Sequence, residues 1–501
     1  MDIVLAGIAG AFAPLNLAFI VLGVSLGIVV GAIPGMSAPT AIAIAVPLTF
    51  AMSPVSAIAF LLGVHKGGEY GGAIASILIN TPGEVSSALT ALDGYPLAKQ
   101  GKPRKALTIS LYASVAGDMF ADLVLILSAA PLAVWALRMG PPEILGVLVF
   151  AFAFITGLLG KSVAKGLFAL ALGLLLATVG LDIETGGERL TFGVLELFDG
   201  IPLVAVGIGV LALGEILVQL EEHFQAGPGE AAARIELGSG EQDRLSWPEL
   251  RGCFRAILRG SVIGTIVGAL PGLGASVAAF LAYGAERRAS KTPELFGTGK
   301  IEGVAAVESA NNAVIGSSLI PLLTLGIPGS ATTALIVGAF LIHGITPGPF
   351  VLQQSGAVIY GLFASLLLAN VANLVIGNLG LRFFVLFLAV PRPLILSTAA
   401  LLCVTGAYVS TGSMFGIGIV LAFGALGYLL RKLDFPFVVF LIGFVLGPIF
   451  ERALRNTVNL FDDPWRLATQ HPLLPVLLAL GAYTIWRSAA AKRMPLRNVA
   501  E

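Results

Sequence analysis

The sequence predicts an all-α polytopic membrane protein with about ten to twelve transmembrane helices, counting broken and re-entrant hairpins, arranged as two inverted-topology repeats. Three observations predict it: an excess of apolar over charged residues, apolar runs of bilayer-spanning length, and a Gly/Pro-interrupted pattern that occurs twice.

Composition comes first. Of the 501 residues, 57% are hydrophobic and 12% charged, against about 25% charged in an ordinary soluble domain. Net charge is zero, with 29 basic and 29 acidic residues, so no nucleic-acid partner is indicated. The apolar residues fall into runs such as Leu15 to Ala32, Asp122 to Leu137, Ile144 to Gly160, Val163 to Gly180 and Tyr360 to Leu379. Each is close to the ~20 residues that cross a bilayer. The first run has Asp2 and no basic residue before it, which reads as a retained span, not a secretory signal. Cys253 and Cys403 lie far apart without metal-type spacing, so neither a disulfide framework nor a metal site is expected.

The repeat is explicit. Gly27-Ile-Val-Val-Gly-Ala-Ile-Pro-Gly-Met36 matches Gly264-Thr-Ile-Val-Gly-Ala-Leu-Pro-Gly-Leu273, an offset of 237 (264 − 27). Asn80-Thr-Pro-Gly-Glu-Val-Ser-Ser-Ala-Leu89 matches Gly326-Ile-Pro-Gly-Ser-Ala-Thr-Thr-Ala-Leu335, an offset of 246 (326 − 80). Basic residues then orient the copies, because cytoplasmic loops are enriched in Lys and Arg. After its first Pro-Gly, copy one has the uncharged Ala51-Met-Ser-Pro-Val-Ser56, whereas copy two has Arg287, Arg288, Lys291 and Lys300. After the second Pro-Gly the bias reverses: Lys99, Lys102, Arg104 and Lys105 face an uncharged Gly344-Ile-Thr-Pro-Gly-Pro-Phe350. Equivalent loops therefore lie on opposite sides. The expected organisation is repeat one over 1–220, a polar central linker over 221–259, repeat two over 260–486 and a basic cytoplasmic tail over 487–501.

Four Pro-Gly pairs interrupt apolar stretches: Pro34-Gly35, Pro82-Gly83, Pro271-Gly272 and Pro328-Gly329. Proline removes a backbone donor and breaks a helix, and such backbone is tolerated at membrane depth only beside protein or a water-filled cavity. Small hydroxyl residues follow each break: Ser37 and Thr40, Ser86 and Ser87, Ser276, Thr332 and Thr333. A half-helix starting there directs N–H groups and its positive dipole end at a cavity, an anion site without arginine. Asn80 and Thr81, and the pair Asn311 and Asn312, add amides and a hydroxyl. Close helix packing through small residues is the competing reading.

Ionisable residues inside apolar segments are further candidates for coupling or specificity. Lys66 and Glu69, spaced i, i+3 beside His65, are expected to pair on one helix face. Asp118 and Asp122, spaced i, i+4, are expected to share a proton or face a partner subunit. Glu302 and Glu308 flank the approach to Asn311. Enzyme signatures are weak: Gly157-Leu-Leu-Gly-Lys-Ser162 imitates the end of a phosphate-binding loop, but Ile155 stands where its first glycine belongs.

The ordered series Gly31-Ala-Ile-Pro-Gly35, Tyr70-Gly-Gly-Ala-Ile74, Asn80-Thr-Pro-Gly83, Asp93-Gly-Tyr-Pro-Leu-Ala98, Thr191-Phe-Gly193, Asp199-Gly-Ile201, Glu302-Gly-Val-Ala-Ala306, Glu308-Ser-Ala-Asn-Asn-Ala313 and Gly326-Ile-Pro-Gly329 resembles the large membrane subunit (TctA type) of the tripartite tricarboxylate transporter family. The resemblance implies uptake of tricarboxylates or related carboxylates coupled to Na⁺ or H⁺, with no other cofactor, in a bacterial inner membrane. It also implies a small four-helix membrane partner (TctB type) and a periplasmic solute-binding protein (TctC type). The sequence departs from the pattern at His65, Lys66 and Glu69 and at Val307, which leaves the substrate open. An anion channel is the alternative function.

Overall fold

Apolar runs free of internal breakers wind into helices, and the Gly-Pro interruptions end them. The computed structural model describes residues 2–33, 35–159, 162–182, 184–226, 243–387, 390–461 and 463–493. The first half contains α1 (Asp2–Ala11), α2 (Pro14–Gly31), α3 (Ala38–Ala45), α4 (Pro54–Ile79), α5 (Ser87–Lys99), α6 (Pro103–Ala136), α7 (Pro141–Leu158) and α8 (Val163–Leu176). A short hairpin pairs Gly180–Leu181 with Glu188–Arg189. Next, α9 (Leu203–Gly207) passes through a π-helical turn (Ile208–Leu213) into α10 (Gly214–Ala226).

The second half contains α11 (Trp247–Gly252), α12 (Phe254–Ala269), α13 (Gly274–Ala289), α14 (Ile301–Ser317), α15 (Leu319–Leu325), α16 (Ala331–Ile342), α17 (Val351–Gln354) and α18 (Gly356–Phe387). It closes with α19 (Arg392–Thr411), α20 (Met414–Lys432), α21 (Phe437–Leu460), α22 (Pro464–Gln470) and α23 (Leu473–Arg493). Among the described residues nine helices are long and apolar enough to cross a bilayer, with shorter apolar helices such as α3, α8 and α16 beside them. The chain is an all-α multi-pass membrane protein. The run from Asp122 to Leu137 is the second part of the 34-residue α6. The sequence of the expected linker is helical at both ends, in α10 and α11–α12, and residues 227–242 and 494–501 lie outside the described residues.

Equivalent segments of the two copies pack alike. Glycines at every fourth position of α2 (Gly23, Gly27, Gly31) press on the backbone of α4 at Phe60, Val64 and Gly68. Gly260, Gly264 and Gly268 of α12 press in the same way on Ala306, Ala310 and Val314 of α14. This is small-residue packing, which lets backbones approach where lipid offers no hydrophobic drive for association. The second long helix is then exchanged: α6 of the first copy lies along α14, and α18 of the second along α4 and α2. A similar exchange sets α8 against α21 and the π turn after α9 against α20.

The loops fall as the charges require. Gln100 donates to the Thr298 carbonyl at 2.7 Å, and Asp93 Oδ1 accepts from the backbone N–H groups of Gly297, Gly299 and Lys300 at 2.8–3.0 Å. The two basic loops are thus stapled together, and Lys105 adds α11 to the same side through Glu249 at 2.7 Å. The segments leading into the two uncharged connections also adjoin, with α16 resting on the 3-10 turn Val46–Ala51. Equivalent loops of the two copies therefore lie in opposite clusters.

Candidate ligand cavity at the four helix breaks

Each break is shaped by a residue that can leave right-handed geometry. Gly35 and Gly272, equivalent by the first offset, have φ of +81° and +85°. Asn80 and Gly326, equivalent by the second, close α4 and α15 in left-handed conformation at φ 51° and 75°. Asparagine and glycine are the residues that accept this cap. Gly83 rests on the Gly31 carbonyl and Gly329 on that of Gly268, again at equivalent places. Across the breaks, Gly272 N–H donates to the Gly329 carbonyl at 2.7 Å.

The breaks surround one cavity of about 680 Å³. Its wall takes Gly35, Ser37 and Thr40 from the first break, Pro82, Gly83 and Glu84 from the second, Gly272 and Ser276 from the third, and Ser330 and Thr332 from the fourth. Asn311 and Glu69 also line it. Pro34 lies outside the described residues. The remaining candidates stand behind this wall. Asn80 forms the left-handed cap, and Thr81 Oγ1 donates to the Ile79 carbonyl at 3.2 Å. Ser86 Oγ donates to Glu69 at 3.3 Å, and Ser87 Oγ is buried against Gly72. Pro271 and Pro328 form the turns, and Asn312 donates to Ser114 Oγ at 2.9 Å. Thr333 completes a capping box with Ser330 and so occupies the first N–H groups of α16.

The four helix starts are consequently not equivalent. The Glu84 carboxylate lies beside the Ala38 N–H at the start of α3 and close to Glu69. A carboxylate of the protein therefore already occupies one of the positions that the dipole argument assigns to a ligand. The wall is also not free of arginine, contrary to expectation. Arg431, 12% exposed at the end of α20, lines the cavity. It pairs with Glu215 at 3.1 Å, donates to the Val210 carbonyl at 2.7 Å and stacks on Phe437. In sequence it is simply a basic residue ending an apolar span.

The expected Lys66–Glu69 pair is replaced. Lys66 Nζ turns to α6, where Asp118 and Asp122 each lie 2.9 Å away, and to Asn370 Oδ1 of α18 at 2.9 Å. Two carboxylates from a neighbouring helix outcompete one along the same helix, and Glu69 is left on the cavity side. Asp118 and Asp122 are fully buried around Lys66 and so do not face a partner subunit. Glu308 is held by Thr90, and by Ser114 at 3.0 Å. His65 and Glu84, absent from the sequence-derived candidates for binding, both line the cavity. For His65 the signal was present in the spacing, since it is the repeat equivalent, by the offset of 246, of Asn311.

Paired broken helices from two related halves, meeting at one polar hollow, are the build of a secondary transporter. Residues 17–442 match the profile of the Tripartite tricarboxylate transporter TctA family. The chain belongs to that family. It is 39% identical over 477 residues to an uncharacterized 52.8 kDa protein in the TAR-I ttuC' 3' region of Agrobacterium vitis, covering 95% of this chain and 93% of the relative. An uncharacterized protein in the TAR-II ttuC' 3' region of the same organism is 40% identical over 219 residues, which is 44% of this chain and 90% of the relative. No solved structure matches. Membership in the TctA family makes the chain a subunit of a transporter, and several of the motif residues quoted from its sequence act as structural staples. Asp93, for example, ties α5 of one repeat to the basic loop of the other and also accepts from Tyr283 at 2.9 Å.

Proposed function

We propose that this TctA-family chain is the membrane-embedded translocation subunit of a binding-protein-dependent secondary transporter that imports tricarboxylates or related carboxylates, coupled to Na⁺ or H⁺. Its partners are then a small four-helix membrane subunit of TctB type and a periplasmic solute-binding protein of TctC type, and its place is a bacterial inner membrane with the basic loops cytoplasmic. The chain carries no chemistry of its own on this reading; it binds, encloses and releases.

The observation that supports it most is the convergence of all four breaks on one cavity. Backbone N–H groups, Ser37, Ser276 and Thr332 there offer donors to a carboxylate without committing to one side-chain pattern, which suits a subunit fed by a selective binding protein. Coupling is favoured by the wall itself, because Glu69, Glu84 and Glu215 face the same space as the anion. Cations or protons entering with the ligand relieve that repulsion. They also offset the membrane potential, which for a trivalent anion entering a negative interior is about 7 kcal/mol per 100 mV.

The test is uptake of ¹⁴C-citrate and shorter dicarboxylates into proteoliposomes holding this chain, a small subunit of TctB type and a binding protein of TctC type from the same organism. Accumulation against a gradient, driven by imposed Na⁺ or H⁺, is the expected result. Flux that follows only the anion's electrochemical gradient would instead identify an anion channel.

A further inference from the structure

Outside the cavity wall, the strongest polar feature at membrane depth is the cluster around Lys66. One ammonium faces two carboxylates, so the group carries one negative charge in excess if all three are ionised. Lys66, Asp118 and Asp122 are each 0% exposed. Asn370 donates to Asp122 Oδ2 at 2.7 Å, yet Asp118 Oδ2 and Asp122 Oδ1 have no hydrogen-bond partner among the described residues. The other buried titratable groups on α4 and α14 are His65, Glu69, Tyr70 and Glu308; the buried side chains of α18 include the amides Asn370 and Asn373. Among the described residues Lys66 is the ion-pair partner of both aspartates. An uncompensated buried charge is strongly disfavoured, and neutralisation is the usual outcome.

We propose that Lys66, Asp118 and Asp122 form a buried proton-binding site, and that its proton is the coupling cation of transport. The proton resides on one of the two aspartates, where a carboxylate oxygen otherwise has no partner. Loading forms one O–H bond with a proton taken from water and leaves a neutral cluster of one ammonium, one carboxylate and one carboxylic acid. Release breaks that bond and returns the proton to water. A metal cation suits the place poorly, since the ammonium already lies 2.9 Å from each carboxylate.

A polar line connects the cluster to the ligand cavity. Ser110, Ser114, Asp118 and Asp122 follow one another at i, i+4 along the buried face of α6. Ser114 donates to Glu308 and accepts from Asn312, and the adjacent Asn311 lines the cavity. The buried polar face of α6 thus runs from the cluster to the hydrogen-bond network that reaches the cavity wall. The coupling part of the proposal rests on the transport reading above; proton binding by the cluster does not.

Infrared difference spectroscopy of the purified full-length protein in lipid reads the proton directly. Comparing wild type with Asp118→Asn and with Asp122→Asn at neutral pH, both variants are expected to lose a protonated-carboxyl C=O band that in wild type titrates with pH and ignores added Na⁺. Each variant leaves a neutral Lys–Asp pair, so folding is expected to survive. Should either fail to accumulate, ¹³C-aspartate labelling of wild type assigns the same band by its isotope shift. Loss of carboxylate bands alone in both variants, at every pH, or disappearance of the acid band on adding NaCl, overturns the proposal. In proteoliposomes with the partner subunits, both variants should also lose the several-fold stimulation by an imposed pH gradient. Retained stimulation refutes the coupling role, whereas no carboxylate uptake by wild type refutes the transport reading and leaves the infrared result standing.

Discussion

Replacing Gly83 or Gly329 by alanine tests the seating of the breaks at the level of single atoms. A Cβ at Gly83 would lie 2.5 Å from the Gly31 carbonyl oxygen and 3.2 Å from Gly72 Cα. At Gly329 it would lie 2.8 Å from both the Gly268 carbonyl oxygen and Ser318 Cα. The obstacles are backbone atoms of two tightly packed helices, so no side chain can swing away. Non-bonded carbons settle at about 3.5–4.0 Å, so each break must retreat by about 0.5–1 Å, and overpacking of this kind costs about 1–3 kcal/mol. Since each break forms part of the cavity wall, the retreat displaces Pro82 and Glu84 in one variant, and Ser330 and Thr332 in the other. Both variants should insert in the membrane, unfold at lower temperature in detergent and lose most carboxylate uptake in vesicles. Gly10→Ala and Gly284→Ala, where a Cβ meets nothing within 4 Å, should be silent in both assays. Wild-type thermostability and uptake in Gly83→Ala and Gly329→Ala would refute the reasoning, and failure of one alone would refute the equivalence of the two repeats.

Other outcomes follow from the same geometry. Asn80→Gly should be tolerated, whereas Asn80→Val forces a β-branched residue into left-handed backbone at a cost of about 1–2 kcal/mol, seen as a lower unfolding midpoint. Glu84→Gln removes a carboxylate competing with the ligand at the start of α3 and should lower the KM for carboxylate uptake by up to about tenfold; a raised KM contradicts that assignment. Arg431→Lys keeps the charge but loses the fork that joins Glu215 to the Val210 carbonyl, and should destabilise by about 1–3 kcal/mol in thermal unfolding. In the loop after α8, Arg455 holds the Asp182 carboxyl below the usual range, helped by the Thr185 N–H. The contribution of a lowered acid is present above its unfolded pKa and lost as pH falls through the folded one. The hydrogen-exchange protection factors of residues 184–189, corrected for the intrinsic pH dependence of exchange, should therefore be constant from about pH 5 to 8 and fall in Arg455→Ala.

Much of this fold was legible because it is written in local signals. Breaks announce themselves as Pro-Gly within apolar runs, and repeat offsets can be counted without knowing any contact. The basic loops could be assigned to one side by charge alone, and the structure staples them together through Asp93 and Gln100. What escaped were pairings between faces of different helices. Lys66 finds Asp118 and Asp122 instead of Glu69 because α4 crosses α6, and the chain separation of 56 residues to Asp122 carries no local sign of this. Arg431 reaches the cavity because α20 packs beside the π turn after α9. Glu84 sits inside a recognised motif, but its contact with the start of α3 depends on how two breaks fold against each other. Asn80 was read for its amide, while its backbone conformation is what the fold uses.

The account turns on a single hollow shared by both halves of the chain. Cysteines placed one at a time at Ser37, at Val85, which lines the cavity beside Glu84, and at Ser276 and Thr332, in a background lacking Cys253 and Cys403, can be labelled with a charged thiol reagent while carboxylate is titrated. The account predicts protection at all four positions with the same half-saturating carboxylate concentration. Protection confined to one repeat, or at none of the four, would contradict it.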